Sequence, residues 1–138
     1  MRLYLAGRYS RRDEFREIAA QLRANGFIVT SRWLKEDADL HHKLGDPIDG
    51  HDNVATFYLK TAIIDCEDIQ AADAILFFAE DPHVGTPRGG RHVEFGYALG
   101  IGKRLFVIGA EENIFHYLPN VRIFPTLECF LETVHAAN

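Results

Sequence analysis

Short apolar runs alternate along this chain with longer segments of helical period, and this alternation is the feature that most limits its fold. Five runs read as strands, at residues 3–7, 27–33, 74–80, 104–109 and, in the tail, from residue 122. The third and fourth runs, AILFFAE and RLFVIG, are apolar almost throughout, which is typical of strands buried on both faces of a sheet. The alternation predicts βαβ units and therefore a parallel sheet.

The segments between the predicted strands supply the helices. From Phe15 to Leu22, apolar residues recur at three- and four-residue spacing, and Gly26 follows as a helix stop. Further helices are predicted over residues 54–73, after the glycine-rich stretch at 85–91, and near the end of the chain.

One long segment fits neither pattern. Residues 35–53 are polar, rich in Asp, His and Gly, and have no clear period. A loop of this length in a compact domain is usually functional or disordered, so we predict a lid or insert loop there. The length of 138 residues predicts one domain, over residues 1–138.

Charge and composition exclude several classes of function. The net charge of −5 argues against binding to nucleic-acid polymers or anionic membranes, so a phosphate ligand needs a local cationic patch. Cys66 and Cys129 lie in apolar, helix-like segments and predict buried free thiols. The sequence has no signal peptide and no apolar run of membrane-spanning length, which favours the cytoplasm. The seven histidines show no ligand spacing, so neither a metal nor a cofactor is predicted.

Three loops are predicted to lie where ligands bind in parallel sheets. In open parallel sheets, ligands bind beyond the carboxyl ends of the strands, at the point where the strand order reverses. Residues 7–12, 81–91 and 109–113 follow such ends here. Their position alone marks them as candidate ligand-binding segments.

Two of these loops are rich in arginine and glycine. Helix amino termini offer free N–H groups, glycine lets a ligand approach the backbone, and arginine binds phosphate through two hydrogen bonds. One interpretation is an anion site; the other is a solvated surface, on which Asp13 and Glu14 offset the arginines. The candidate anion-binding residues are Gly7, Arg8, Ser10, Arg11, Arg88, Gly89, Gly90 and Arg91.

Glu94 stands in an apolar run, HVEFGYALG, behind the second glycine loop. On spacing alone it is either a helical partner of Arg91 or, as a carboxylate among apolar neighbours, a nucleophile or base. Asp65 and Asp68, one turn apart in the preceding helix, are either solvated acids or a source of a second group in the pocket. Trp33, at the end of the second strand, either packs in the core or stacks on a base.

LYLAG near the amino end, DCEDIQAAD before a buried strand, and HVEFGYALGIGKRLFVIG together resemble the nucleoside 2-deoxyribosyltransferase family. This family includes 2′-deoxynucleoside 5′-monophosphate N-hydrolases. The resemblance runs from residue 1 to about residue 119 and matches poorly over the predicted loop at 35–53.

The resemblance implies a flavodoxin-like (Rossmann-like) five-stranded parallel sheet with helices on both faces, and cleavage of an N-glycosidic bond. It implies that Glu94 is the nucleophile, that Asp65 is the acid that assists the leaving base, and that Tyr4 orients the nucleophile. Asn113 falls near a region that, in this family, completes the active site of the neighbouring subunit. A homodimer or larger homo-oligomer with shared sites is therefore implied as well.

The implied chemistry fits these residues. Loss of the base passes through an oxocarbenium-like state, which a carboxylate stabilises and then traps covalently, while a second carboxyl protonates the base. The arginines of RGGR favour a 5′-phosphate, so we expect the substrate to be a (2′-deoxy)nucleoside 5′-monophosphate. We expect water to resolve the covalent intermediate, so that the reaction is a hydrolysis. Three alternatives stay open: base exchange between deoxynucleosides, a non-catalytic nucleotide sensor, and hydrolysis of a ribonucleotide or NAD-like dinucleotide.

Overall fold

The structure is a computed structural model that describes residues 1–35, 51–81, 83 and 89–137. Within these ranges the strands are β1 (Arg2–Ala6), β2 (Ile28–Val29), β3 (Ala74–Phe78), β4 (Arg104–Ile108) and β5 (Val121–Phe124). The α-helices of the same ranges are α1 (Arg12–Ala24), α2 (His51–Ala71), α3 (Gly90–Gly100) and α4 (Leu127–Thr133). Short 3-10 helices span Tyr9–Arg11, Arg32–Leu34 and Ile114–Tyr117.

The five strands form one parallel sheet in the order β2-β1-β3-β4-β5. This is the flavodoxin-like order, and the predicted fold class is confirmed. Every residue of β3 is buried, as its unbroken apolar run predicts. The strand order reverses between β1 and β3, so the crevice beyond their carboxyl ends is where folds of this kind bind ligands.

Helices cover both faces of the sheet, because neighbouring side chains of a strand point to opposite faces. Phe77 of β3 packs against Phe95 of α3, whereas Phe78 packs against Phe15 of α1. α2 packs beside α3. The face that carries Phe77 is therefore the one that α2 and α3 cover.

The second strand is shorter than predicted, because side chains replace part of its ladder with β1. The strand expected over residues 27–33 is limited to Ile28–Val29, and a 3-10 helix follows at Arg32–Leu34. Beyond β2, Ser31 Oγ accepts from the N–H of Leu5 at 2.7 Å, and Trp33 Nε1 donates to the Leu5 carbonyl at 3.0 Å. The backbone of β1 thus keeps its hydrogen bonds after β2 has ended.

The remaining expectations about the chain have different outcomes. Most of the predicted lid or insert loop at 35–53 lies outside the described residues, and residues 51–53 belong to the first turn of α2. Both cysteines are free, but the prediction of buried thiols is wrong for Cys66, which is exposed, while Cys129 is partly buried. In the described ranges, no helix is both long and apolar enough to cross a membrane.

Candidate active site

Tyr4 and Glu94 form a hydrogen bond at the centre of the candidate site. Tyr4 pairs in register with Ile75, two residues before Phe77, so its buried side chain points from β1 towards α2 and α3. The Tyr4 hydroxyl donates to Oε2 of Glu94, in the second turn of α3. Burial, with the nearby Glu94 carboxylate, raises the pKa of Tyr4 well above its ordinary value, so this hydroxyl keeps its proton and stays a donor.

The surroundings of Glu94 act in opposite directions on its proton. Burial raises the pKa of Glu94 to about 8, and the nearby Asp65 adds to that rise. The hydrogen bond from Tyr4 lowers the pKa of Glu94, because a donor stabilises the ionised carboxylate. Tyr4 therefore favours negative charge on Glu94 in surroundings that otherwise favour the neutral acid.

Asp65 supplies the second carboxyl group, from α2. Burial raises the pKa of Asp65 to about 7, repulsion from Asp68 adds to the rise, and attraction to Arg32 opposes it. Asp65 Oδ1 is buried and has no hydrogen-bond partner among the residues that the structure describes. A carboxyl group in this state is suited to carry a proton that it can donate to a bound ligand.

Glu94 and Asp65 together form a carboxyl pair that titrates near neutral pH. Because the charge on one raises the pKa of the other, the two lose their protons as a coupled pair. Between the first and the second deprotonation the pair holds one proton. It can then supply one ionised carboxylate and one carboxylic acid at the same pH, which is the combination that cleavage of a glycosidic bond requires.

Arg91 is paired with an acidic side chain, which argues against its predicted role in phosphate binding. Its side chain is buried and forms two hydrogen bonds with Glu112, from Nη1 to Oε1 at 2.8 Å and from Nη2 to Oε2 at 2.5 Å. The guanidinium also lies 5.0 Å from the centre of the Phe77 ring. Arg91 thus ties the first turn of α3 to the loop after β4. Sequence reasoning missed Glu112, although its position directly after β4 placed it at the ligand edge.

Glu112 collects further donors at the same edge. The backbone N–H of Glu80 donates to Oε1 of Glu112 at 2.5 Å, and Nε2 of His92 lies 2.8 Å from Oε2. Asn113 Oδ1 accepts from the N–H of Phe115 at 2.9 Å, which leaves its Nδ2 to face Nδ1 of His92 at 3.2 Å. His92 therefore accepts at Nδ1 and donates at Nε2 to Glu112. Within the described chain, Asn113 caps the 3-10 helix that follows it.

The loop after β1 contains Gly7, Arg8, Ser10 and Arg11. Arg11 donates to Glu14 at 2.7 and 2.8 Å and to Glu80 at 2.6 Å, so its guanidinium is paired with acids. A Cβ on Gly7 would lie 2.2 Å from the Phe15 ring, so packing of that ring explains this glycine without a ligand. Arg8 precedes the 3-10 helix at Tyr9–Arg11, in which Ser10 is exposed.

The second glycine loop leads into α3. Gly89 has a left-handed backbone, with φ +87°, and caps the helix, which begins at Gly90. Apart from its chain neighbours and the backbone of the helix, no described atom lies within 4 Å of a Cβ built on either glycine, so the described residues leave the backbone there open to approach. Arg88, the other predicted phosphate-binding residue of this loop, lies outside the described residues.

Trp33 packs in the core and does not present itself as a base-stacking residue. Its side chain is buried, its indole N–H donates to Leu5, and its ring contacts the rings of Phe15 and Tyr9. These contacts favour core packing over base stacking, the two roles that the sequence left open.

Comparison with known proteins relates the chain to two solved enzyme structures. It is similar to the CMP N-glycosidase BcmB of Clostridium botulinum, with 19% identity and a TM-score of 0.58 over 96% of each chain. It is also similar to a 2-deoxyribosyltransferase of Leishmania mexicana, with 16% identity and a TM-score of 0.59 over 96% of this chain and 97% of that one. No protein-family model and no curated protein sequence matches. At these identities the similarity shows a common fold.

Proposed function

We propose that this protein is an N-glycosidase of the nucleoside 2-deoxyribosyltransferase family that hydrolyses the base–sugar bond of a nucleoside 5′-monophosphate. The observation that carries the proposal is the hydrogen bond from Tyr4 to Glu94 beside the second carboxyl group, Asp65, close to the point where the strand order reverses. The names of the two similar structures, a CMP N-glycosidase and a 2-deoxyribosyltransferase, support the same class of chemistry.

In the first step, ionised Glu94 attacks the anomeric carbon of the sugar. A bond forms between a Glu94 oxygen and that carbon as the bond from the carbon to the base nitrogen breaks. The electron pair of the broken bond goes to the base, which takes a proton from Asp65 and leaves as a neutral molecule. Tyr4 holds the Glu94 carboxylate in place during the attack. The products are the free base and a sugar ester of Glu94.

In the second step, water resolves the ester. Asp65, now ionised, accepts a proton from the water molecule as its oxygen attacks the anomeric carbon, and Glu94 leaves as a carboxylate. The sugar is released with a hydroxyl where the base had been, and Asp65 is protonated for the next cycle.

A second candidate function is base exchange, favoured by the similarity to the 2-deoxyribosyltransferase of Leishmania mexicana. The first step is the same, and a second base takes the place of water in attacking the Glu94 ester. Incubation of the enzyme with a deoxynucleotide or deoxynucleoside and a different free base separates the two, because only exchange yields a new nucleotide or nucleoside.

The second glycine loop, which leads into α3, is the reason why the proposed substrate carries a 5′-phosphate. The open backbone at Gly89 and Gly90, at the amino end of α3, is suited to approach by an anion. Arg88 is the arginine that we assign to the phosphate from the sequence, since Arg91 is held by Glu112. Arg8 and Ser10 are further candidates, from the loop after β1.

We further propose a homodimer with shared active sites, in which α2, α3 and the segment after Asn113 face the partner. Large apolar side chains are exposed on these elements: Tyr58, Leu59, Ile63, Val93, Ile114, Phe115 and Tyr117. Burial of such side chains against a second copy is favourable, and the 3-10 helix that carries three of them begins directly after Asn113.

Chromatography of the bases released from a panel of nucleosides and 5′-monophosphates tests the function. We expect base release by the wild type, loss of at least about 1000-fold in Glu94→Gln, and unchanged release in Glu132→Gln, which alters an exposed glutamate of α4. Base release that survives in Glu94→Gln contradicts the nucleophile. A wild type that binds a nucleotide but releases no base favours the sensor instead.

A further inference from the structure

We propose that Asp68, held by Arg32, is a positioning residue that shifts the single proton of the carboxyl pair towards Asp65. The inference rests on the proposed function, in which Asp65 has to be protonated while Glu94 is ionised. Without such a device the proton could sit on either carboxyl group, and only one of the two arrangements leads to base release.

Asp68 is buried and held in place by two hydrogen bonds from Arg32. Its side chain is 6% exposed, its Oδ2 accepts from the backbone N–H of Arg32 at 2.8 Å, and its Oδ1 accepts from Arg32 Nε at 2.7 Å. The Arg32 side chain is 43% exposed and also contacts Glu67, an exposed residue. Water therefore screens the positive charge of Arg32 more than the negative charge of Asp68, which is buried.

Asp68 lies one helical turn after Asp65. Residues three apart on a helix are neighbours on its surface, and like charges in that relation repel each other. An ionised Asp68 thus opposes ionisation of Asp65, in agreement with its contribution to the raised pKa of Asp65.

Four ionisable groups face Asp65 in the described chain. They are Asp68 on the same helix, Arg32 from the 3-10 helix after β2, Tyr4 from β1 and Glu94 from α3. Tyr4 favours the charge on Glu94, and Asp68 disfavours a charge on Asp65. Both effects shift the proton towards Asp65, the productive arrangement, and Arg32 moderates the second. They act against the burial of Glu94, whose pKa is about 8 while that of Asp65 is about 7.

Two variants with opposite effects test the proposal. In Asp68→Asn the negative charge is lost and Arg32 keeps only Glu67 as a carboxylate partner in the described chain. We therefore expect the limb of the pH profile of kcat/KM that reports Asp65 to move down by about 1 pH unit. In Arg32→Gln the charge of Asp68 is less compensated, and the limb is expected to move up. Glu67→Gln is the matched control, because Glu67 also contacts Arg32 but is exposed to water. In this variant the limb that reports Asp65 should stay in place. A structural role for Asp68 would lower the rate without moving the limb.

An activity-independent titration separates failure of this inference from failure of the proposed function. The carboxyl signal of Asp65 in protein labelled with ¹³C-aspartate, assigned through Asp65→Asn, reports its pKa directly. A lower pKa in Asp68→Asn than in Glu67→Gln supports the role of Asp68 even if no base is released. Equal Asp65 titrations in Asp68→Asn, Glu67→Gln and wild type overturn it, even in an active N-glycosidase.

Discussion

The hydroxyl of Tyr4 donates a hydrogen bond to Glu94 and so joins the middle of β1 to the second turn of α3. The bond crosses 90 positions of sequence and links the strand at the reversal of the sheet order to the helix that follows its neighbour, β3. Because β1 is buried in the sheet, the phenol has little freedom. A rigid element thus orients a carboxylate that has to meet a sugar carbon within a narrow geometry.

Tyr4→Phe removes this hydrogen bond and keeps the ring. A hydrogen bond to a charged group is worth about 1.5–3 kcal/mol, so we expect kcat/KM to fall about 10- to 150-fold. The limb of the pH profile that reports Glu94 should move to higher pH, because Glu94 loses the donor that lowers its pKa.

Tyr97→Phe is the matched control for the lost hydroxyl. The Tyr97 hydroxyl contacts Gln70 Nε2, and no change in the limb that reports Glu94 is expected when this hydroxyl is removed. An unchanged limb in Tyr4→Phe would contradict the role of Tyr4.

The raised pKa values of Glu94 and Asp65 predict that stability falls as the pH rises. Below about pH 3 both groups are protonated in the folded and the unfolded chain, so they do not change the free energy of unfolding. Above that, the unfolded chain releases its protons near pH 4, whereas the folded chain keeps them up to about pH 7 for Asp65 and about 8 for Glu94. The free energy of unfolding should therefore fall between about pH 5 and 8, by up to about 1.4 kcal/mol per pH unit for each proton retained.

Urea denaturation at pH 5, 6, 7 and 8 measures this dependence. Glu94→Gln and Asp65→Asn should each flatten the decline relative to wild type, and the comparison cancels the opposite contribution of His116, whose pKa burial lowers. Glu132→Gln should follow the wild type. Parallel curves for all four proteins would show that the pair does not retain its protons in the folded state.

The sequence allowed the sheet to be predicted because its strands are coded locally. The unbroken apolar run of β3 requires burial on both faces, and the helical period of α1 leaves few alternatives. The second strand was predicted too long, because Ser31 and Trp33 provide hydrogen bonds to β1 that a propensity pattern does not contain.

The partner of Arg91 in the structure was not among those predicted, for a long-range reason. The spacing in the sequence predicted that Arg91 pairs with Glu94, three residues later, or with a phosphate. Its partner in the structure is Glu112, which β4 brings to the same edge of the sheet. Only the register of β3 and β4 brings these two residues together. Catalytic roles for Glu94 and Asp65 were predicted through the family resemblance, since spacing alone left surface roles open for both.

The ion pair of Arg91 and Glu112 predicts a structural role for Arg91. Loss of one partner leaves the other charge buried and uncompensated, so Arg91→Met and Glu112→Leu should each cost about 3–5 kcal/mol of unfolding free energy. The double variant should cost less than the two together. Asp13→Asn, which breaks an exposed pair with Arg16, is the control and should change stability by less than about 1 kcal/mol. Additive costs in the double variant would argue that Arg91 acts elsewhere.

Arg88→Ala separates nucleotide from nucleoside substrates. If Arg88 holds the 5′-phosphate, kcat/KM for a deoxynucleoside 5′-monophosphate should fall about 10- to 150-fold, as expected for a hydrogen bond between charged groups. Turnover of the matching nucleoside should hardly change. Arg23→Ala, at an exposed position of α1, controls for the loss of one positive charge. Equal losses on both substrates would exclude phosphate binding by Arg88.

Leu59→Glu tests the proposed homodimer. Leu59 is 61% exposed on α2, and a charge at this position would be buried without a partner in the interface, so the dissociation constant should rise about 100-fold or more. Light scattering after size-exclusion chromatography should show a dimer for wild type and a monomer for the variant, with loss of base release if the sites are shared. Ile28→Glu is the matched control, because Ile28 is 59% exposed on β2, outside the proposed interface, and should leave the dimer intact. A monomeric wild type with full activity would contradict both the dimer and the sharing of its sites.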